Sequence, residues 1–310
     1  MSLSVIKRKV NTMVHTPRIF MKKFQSSFIF KHLPDKTALK IQYKNAFLTD
    51  LDLENPKTFN EKLQWLKLYN RKPEYSKMVD KYEAKKYVAS IIGEEYIIPT
   101  YGVYNSFDEI DLNALPNQFV LKCTHGSGDV VICRDKSSFD AENAKEKLSK
   151  ALKTDYYKIS REWPYKNVTP RIIMEPYLED NETKELTDYK IYCFDGKCDY
   201  VMTCIDRFKG ATKFIYFDKE WNIKKEFSKH GMQYGDTIKV AKPKELDKMF
   251  YFASVLSKGI PFVRADFYEC NGHLYFGELT FFPSAGFDTG RLPVIEEYLS
   301  ESLNIKELSE

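Results

Sequence analysis

The chain has 310 residues, 43% hydrophobic and 15% aromatic, enough for one large or two modest globular domains. It contains no run of eighteen apolar residues and no recognisable signal peptide, so we expect a cytoplasmic protein. The six cysteines form no C-x-x-C pair and have no histidine at ligand spacing, so we expect buried, reduced thiols and no zinc site.

The positive charge is concentrated at the N-terminus. Residues 1–40 hold nine Lys or Arg against one acid, whereas the net charge of the whole chain is +4. Lysines alternate there with aromatic and aliphatic residues, as in an amphipathic helix. Two interpretations stay open: peripheral contact with an anionic membrane at its inner face, or a helix packed on the protein body. No nucleic-acid motif follows, so no nucleic-acid partner is expected.

Helices are predicted after Thr58, which has Glu61 at capping-box spacing, and after Asp80, where Gly93 ends the helix. Two further helices are predicted over 139–153 and 243–258. Strand patterns occupy the segments 94–104, 117–135, 171–178, 188–206, 213–223 and 263–281. Because strands follow one another in hairpins instead of alternating with helices, we expect an α+β fold with antiparallel sheets.

One predicted strand carries a lysine followed by glycines. Lys122 interrupts an apolar strand and therefore needs an anionic partner. Gly126 and Gly128 follow it, and glycines let backbone N–H groups approach a phosphate. This is not a Walker A loop, because the glycines are not followed by Gly-Lys-Ser/Thr and the next predicted element is a strand, not a helix. A flap over nucleotide phosphates fits these features; a tight turn beside a solvated lysine is the alternative.

The segment VRADFYECNGHLYFGELTFFP carries four polar residues inside two apolar strands: Arg264, Asp266, Glu278 and Thr280. A two-residue turn at Asn271-Gly272 would put the two carboxylates on opposite faces, whereas an odd loop with a bulge would put them on one face. We expect the odd loop. The opposite, buried face would then consist of Val263, Ala265, Phe267, Tyr275, Leu279 and Phe281.

Two carboxylates on one face of neighbouring strands repel each other unless a cation lies between them. Mg²⁺ is suited to that position, because it binds a few carboxylates together with substrate phosphates. An exposed hairpin with ordinary solvated charges is the alternative interpretation.

In this order the motifs resemble the ATP-grasp superfamily, and most closely its TupA-like branch found in bacterial surface-polysaccharide gene clusters. The resemblance covers roughly residues 34–300 and is carried by NPKTFNEKLQWLKL, DKYEAKKYV, FVLKCTHGSG, IIMEPYL, DYKIYCFDGK and VRADFYECNGHLYFGELTFFP. It implies ATP and Mg²⁺ as cofactors and an ATP-grasp fold that holds the nucleotide between two α+β subdomains. The implied division is a basic helical arm over 1–57, an N-terminal subdomain over 58–115, a small subdomain with the flap over 116–185, and a C-terminal subdomain with the metal site over 186–310.

The resemblance also implies nucleotide-binding roles. Lys81 and Lys122 would bind the α- and β-phosphates, beneath a flap of Gly126, Ser127 and Gly128. The remaining implied nucleotide contacts are Glu175, Tyr177 and Leu178 at the adenine, Asp188 at the ribose, and Lys190 within the same site.

Catalytic and metal-binding roles are implied as well. Arg264 and Lys122 would stabilise the transferred phosphoryl group, and Asp266 and Glu278 would bind magnesium. Thr280 stands where the superfamily usually has Asn, so a second metal ion is an open question, although its hydroxyl still suits a metal.

The implied function is an ADP-forming ligase in which a carboxylate attacks ATP and an amine or similar nucleophile then displaces phosphate from the acyl phosphate. The implied substrates are a small-molecule carboxylate and an amine, such as an amino acid and a uronic-acid-bearing glycan or its precursor. The alternative is a glycosyltransferase of capsule or cell-surface polysaccharide biosynthesis, supported only by the motif DLD at residues 50–52. A nucleotide-binding protein without catalysis is the third hypothesis.

Overall fold

The computed structural model describes residues 27–206 and 212–308. Its helices are α1 (Phe28–Lys31), α2 (Asp35–Phe47), α3 (Phe59–Tyr69), α4 (Glu74–Val79), α5 (Glu83–Ile92), α6 (Ala141–Leu152), α7 (Tyr156–Ser160), α8 (Lys229–Tyr234), α9 (Leu246–Ser257) and α10 (Pro293–Ser302). Its strands are β1 (Gly102–Tyr104), β2 (Phe119–Cys123), β3 (Val130–Cys133), β4 (Ile172–Pro176), β5 (Asp188–Phe194), β6 (Lys197–Ile205), β7 (Lys213–Asp218), β8 (Val263–Cys270) and β9 (His273–Thr280).

The strands form two antiparallel sheets. One has four strands in the order β1-β4-β2-β3, and the other has five in the order β7-β6-β5-β8-β9. This confirms the predicted α+β class with antiparallel sheets. The division of the chain into subdomains stays a prediction; the four-stranded sheet takes β1 from residues 58–115 and its other strands from 116–185.

Local sequence signals explain the ends of two helices. The Thr58 side chain accepts a hydrogen bond from the Glu61 N–H at 3.2 Å, and Glu61 accepts one from the Thr58 N–H at 2.9 Å, so the predicted capping box starts α3. The Asp80 carboxylate caps the start of α5, and Gly93 ends that helix at a φ of 106°. The predicted strand over 94–104 is wrong for its first part, which forms a 3₁₀ turn at Glu94–Tyr96.

The hairpin β8–β9 corrects the expected loop length. Cys270 pairs with His273, so the turn consists of the two residues Asn271 and Gly272, at φ values of 53° and 74°. The odd residue lies inside β9 instead: the register shifts between Asp266 and Phe267, and Gly277 is left without a partner. This bulge puts Asp266 opposite Glu278, so the two carboxylates share a face as expected, through a different mechanism.

The bulge also changes which residues are buried. Val263, Ala265, Phe267, Leu279 and Phe281 face the core, as predicted. Tyr275 does not, because on the turn side of the bulge the alternation is reversed. The core positions there are Leu274 and Phe276, which are 1% and 4% exposed.

The described part of the arm packs on the protein body through Phe30 and Asp35, whereas Phe28 and Ile29 are exposed. Phe30 is fully buried, and the Arg161 guanidinium donates to its carbonyl at 2.6 Å. Asp35 accepts hydrogen bonds from Tyr157 at 2.5 Å and Arg71 at 2.7 Å and pairs with Arg161 at 3.2 Å. The packed interpretation therefore holds from residue 27 onward. Residues 1–26, where most of the predicted basic helix falls, lie outside the described residues.

The cysteines agree with the sequence expectation. Each of the six is buried and free of a disulfide. Within residues 27–206 and 212–308 no helix is long and apolar enough to cross a membrane.

Candidate active site

A cleft of about 250 Å³ lies between the two sheets. It takes side chains from both, together with α4 and α5. The predicted site residues that line it are Lys81, Lys122, Ser127, Gly128, Glu175, Asp188, Lys190 and Glu278. The structure therefore gathers into one cleft residues that are separated by almost two hundred positions in the chain.

At one wall, Glu175 is the centre of an ion-pair cluster. Its carboxylate pairs with Lys122 through one oxygen and with Lys85 through the other, the latter at 2.6 Å. Burial tends to raise the pKa of Glu175, but the two ammonium groups lower it below its usual value. Lys122 thus has the anionic partner that its place in a strand requires, and it also borders the cleft.

The glycine flap closes the cleft beside Lys81. The Lys81 ammonium donates a hydrogen bond to the Gly126 carbonyl, which is part of the flap. Burial lowers the pKa of Lys81, with Glu278 opposing that effect and Lys122 adding to it. Gly128 has a φ of 88°, and a Cβ there would meet no neighbour, so the glycine is required by its backbone conformation and not by space.

A network around Asp266, which is 1% exposed, adjoins the cleft. The Arg264 guanidinium donates to both of its oxygens, each at 2.6 Å, and Lys190 donates to Oδ2 at 2.5 Å. Lys190 also pairs with Asp188 at 3.1 Å. Burial tends to raise the pKa of Asp266, but Arg264 and Lys190 hold it below its usual value.

Glu278 faces the cleft and is far more open, with its side chain 43% exposed. The Thr280 hydroxyl donates to it at 3.2 Å, and Arg264 donates to that hydroxyl at 3.1 Å. Arg264 Nη2 lies 2.6 Å from Asp266 Oδ2 and 3.8 Å from Glu278 Oε1, so both carboxylates converge on one cation. Arg264, Asp266 and Thr280 adjoin the cleft through Glu278.

Two predicted adenine contacts lie outside this arrangement. The Tyr177 hydroxyl donates to Glu179 at 2.8 Å, and the Arg134 guanidinium lies over its ring at 5.5 Å. Leu178 is half-buried, and its side chain does not line the cleft. Their expected role depended on backbone groups and stays a prediction.

Sequence reasoning missed part of the lining. Lys85 follows Lys81 by four residues, so helical spacing was a signal that both could face one cleft. The remaining wall is apolar and comes from Met78, Val79, Ala84, Ile98, Val130, Tyr268 and Phe276. These residues look like ordinary core positions in the sequence, so only the fold identifies them as a surface suited to a flat, apolar ring.

The family model described as TupA-like ATPgrasp matches residues 61–303. The chain belongs to the TupA-like ATP-grasp family. Its fold is therefore the ATP-grasp fold, and the protein is a member of the ATP-grasp ligase superfamily, as the order of its motifs predicted. A comparison with curated proteins gave no match.

Several solved structures of ligases are similar to this chain. The D-alanine–D-alanine ligase of Bacillus anthracis is 16% identical with a TM-score of 0.41, over 75% of this chain and 68% of that chain. The Helicobacter pylori ligase of the same name is 17% identical with a TM-score of 0.45, over 79% and 69%. The ligase PsnB, complexed with a minimal precursor, is 12% identical with a TM-score of 0.43, over 86% and 71%. At these scores none of the similarities bears on the substrates of this chain.

Proposed function

We propose that the protein is an ATP- and Mg²⁺-dependent ligase that activates a carboxylate as an acyl phosphate and joins it to an amine. The observation that carries this proposal is that the Asp266 and Glu278 carboxylates converge on the Arg264 guanidinium. They do so beside a cleft lined by Lys81, Lys122 and Lys190. With Lys85, four ammonium groups lie in one cleft and suit a polyphosphate, and the apolar wall suits a base.

The donor set at the end of the cleft fits magnesium. The two carboxylates and the Thr280 hydroxyl are hard oxygen donors. Among the described residues, no three His, Cys, Asp or Glu side chains converge, so phosphate oxygens and water would complete the coordination. Bound there, Mg²⁺ would neutralise charge on the transferred phosphoryl group.

The protein's own residues would bind and orient the reactants. Lys81 and Lys122 would hold the phosphates while the flap at Gly126 to Gly128 covers them, excluding water that would hydrolyse an acyl phosphate. Arg264 would lie beside the transferred phosphoryl group and stabilise its charge. Lys122 would have to leave Glu175 in part, and Lys85 would remain as the partner of that carboxylate.

For the substrates, we propose an amino acid and a uronic-acid-bearing glycan or its precursor, in the assembly of a bacterial surface polysaccharide at the cytoplasmic side of the membrane. The support for this is the family resemblance. The glycosyltransferase alternative depends on the motif DLD, whose carboxylates make local contacts: Asp50 is exposed and pairs with Lys44, and Asp52 accepts hydrogen bonds from the N–H groups of Glu54 and Asn55.

The test is trapping of the acyl phosphate with hydroxylamine. The protein, Mg·ATP and hydroxylamine are mixed with glucuronate, galacturonate or single amino acids, and ADP and hydroxamate are measured. With at least one of these carboxylates, we expect ADP and hydroxamate in equal amounts. With Glu278→Gln, we expect neither product. Release of UDP from a UDP-sugar without any use of ATP would contradict the ligase.

A further inference from the structure

A second group of buried polar side chains lies next to the nucleotide cleft. It consists of Tyr156, Glu162 and Tyr165, all from the segment between α6 and β4, and none was singled out by its sequence. Glu162 is 4% exposed, and the Tyr156 hydroxyl donates to its Oε1 at 3.1 Å. The rings of Tyr156 and Tyr165 meet edge to face with centroids 4.8 Å apart, and both are half-buried.

This cluster adjoins the place proposed for phosphoryl transfer. On one side it contacts the flap, because a Cβ on Gly126 would lie 3.4 Å from the Tyr156 ring. On the other side it lies in the electrostatic field of the metal-site residues: burial raises the pKa of Tyr165, Glu162 and Glu278 raise it further, and Arg264 opposes the rise. The cluster therefore borders the glycine flap, and Tyr165 interacts electrostatically with the residues of the proposed metal site.

Lys67 contacts the segment that carries the cluster. Its side chain is fully buried, and its ammonium donates to the carbonyls of Ser160 and Ala285, each at 2.8 Å. Those contacts join the tyrosine-bearing segment to the turn Pro283–Gly286, in which Ser284 and Ala285 both have a φ of 52°. Lys67 thereby connects the turn to the segment.

Glu162 has no contacting cation among the described residues, because the Lys67 ammonium donates to the two carbonyls instead. Burial raises the pKa of Glu162 to about 7, and the charge of Lys67 and hydrogen bonds from Tyr156 and Ser160 oppose that rise. A ligand cation in contact with this carboxyl group would favour its ionised form.

We propose that Tyr156, Glu162 and Tyr165 form the subsite for the ammonium group of an amino-acid substrate. The inference depends on the proposed ligase function, since it assigns the amine of that reaction. A carboxylate accepts charge-assisted hydrogen bonds from a primary ammonium, and tyrosine rings attract a cation over their faces. N-acylated amino acids lack the cation and would be rejected.

The test is calorimetric titration of the Mg·ADP complex with single amino acids, each compared with its N-acetyl derivative. We expect at least one amino acid to bind and its acetylated form not to bind. Glu162→Gln, which keeps the shape and the Tyr156 hydrogen bond, and Tyr165→Leu, which removes the aromatic face, should each weaken that binding about tenfold or more. Both variants should keep the parent's affinity for Mg·ADP, which also reports correct folding. Glu220→Gln, an exposed position on the turn after β7, is the matched control and should change neither affinity.

Three results would overturn the subsite: equal binding of acetylated and free amino acids, parent-like binding in Tyr165→Leu and in a folded Glu162→Gln, or no amino-acid binding to a parent protein that binds Mg·ADP. Failure of the parent to bind Mg·ADP would contradict the proposed function itself, so the two failures are distinguishable.

Discussion

Asp266 lies directly opposite Glu278 on neighbouring strands although a two-residue turn connects those strands. Gly277 makes this possible as the extra residue of a bulge. A Cβ at Gly277 would lie 3.0 Å from the Asp266 carbonyl oxygen and 3.0 Å from the Tyr268 ring. The pairing of the proposed metal carboxylates thus depends on a glycine.

Gly277→Ala should therefore disturb both the fold and the site. We expect the free energy of unfolding to fall by about 1–3 kcal/mol, because the methyl group overpacks against backbone and a ring. Mg·ATP binding should weaken at the same time, as the register between the carboxylates shifts. Urea unfolding and calorimetry measure the two effects. Gly290→Ala, at an exposed position, is the control, and equal effects from both variants would contradict the role of the bulge.

The two proposed metal carboxylates should differ when each is neutralised. Asp266→Asn removes the buried carboxylate that Arg264 and Lys190 share, and Asp188 remains as a partner for Lys190 only, so we expect a loss of about 3–5 kcal/mol of stability. Glu278→Gln changes an exposed side chain and should alter stability by less than about 0.5 kcal/mol. ATP turnover should fall about 100-fold or more in Glu278→Gln. Parent-like turnover in that variant would refute the metal assignment.

Neutralising Asp35 should weaken the packing of the arm in a pH-dependent way. Burial tends to raise the pKa of Asp35, but Tyr157, Arg71 and Arg161 hold it below its usual value. A lowered folded-state pKa means that ionised Asp35 contributes stability above its unfolded pKa of about 4, and that this contribution is lost as the pH falls through the lower, folded value.

Asp35→Asn should consequently cost about 1–3 kcal/mol at pH 7, and the deficit should shrink as the pH is lowered towards 3. Urea unfolding at several pH values measures this. Asp50→Asn removes an exposed ion pair and should leave stability nearly unchanged at every pH. A deficit of Asp35→Asn that is independent of pH would contradict the electrostatic explanation.

Two truncations should separate membrane contact from packing. Residues 1–26 carry six Lys or Arg and no acid, so their removal should weaken association with vesicles containing anionic lipid and leave Mg·ATP binding unchanged. Removal of residues 1–35 also deletes buried Phe30 and the Asp35 cluster, and it should lower the melting temperature. Vesicle co-sedimentation measures the association with lipid. If the protein without residues 1–26 co-sediments as well as the full chain does, a membrane role for the arm is excluded.

Features set by neighbouring residues were predictable from the sequence. The capping box at Thr58, the Asn271-Gly272 turn signal and the glycine flap each depend on a few consecutive residues. The predicted odd-numbered loop was wrong, because the register of a hairpin depends on bulges within the strands as well as on the length of the turn. Gly277, a glycine inside a strand pattern, was the sequence signal for the bulge. The cluster of Tyr156, Glu162 and Tyr165 was missed because its helices are too short for a periodic pattern and because its position depends on a contact with the distant flap.

The most direct test of the ligase account is the melting temperature of the full chain with Mg·ATP and, separately, with Mg²⁺ and a UDP-sugar. A ligand that binds only the folded state raises the free energy of unfolding by about 2.7 kcal/mol at one hundred times its dissociation constant. We predict a clear rise with Mg·ATP, a smaller rise with ATP and a chelator, and none with the UDP-sugar. An equal or larger rise with the UDP-sugar, or no rise with Mg·ATP, would contradict the account.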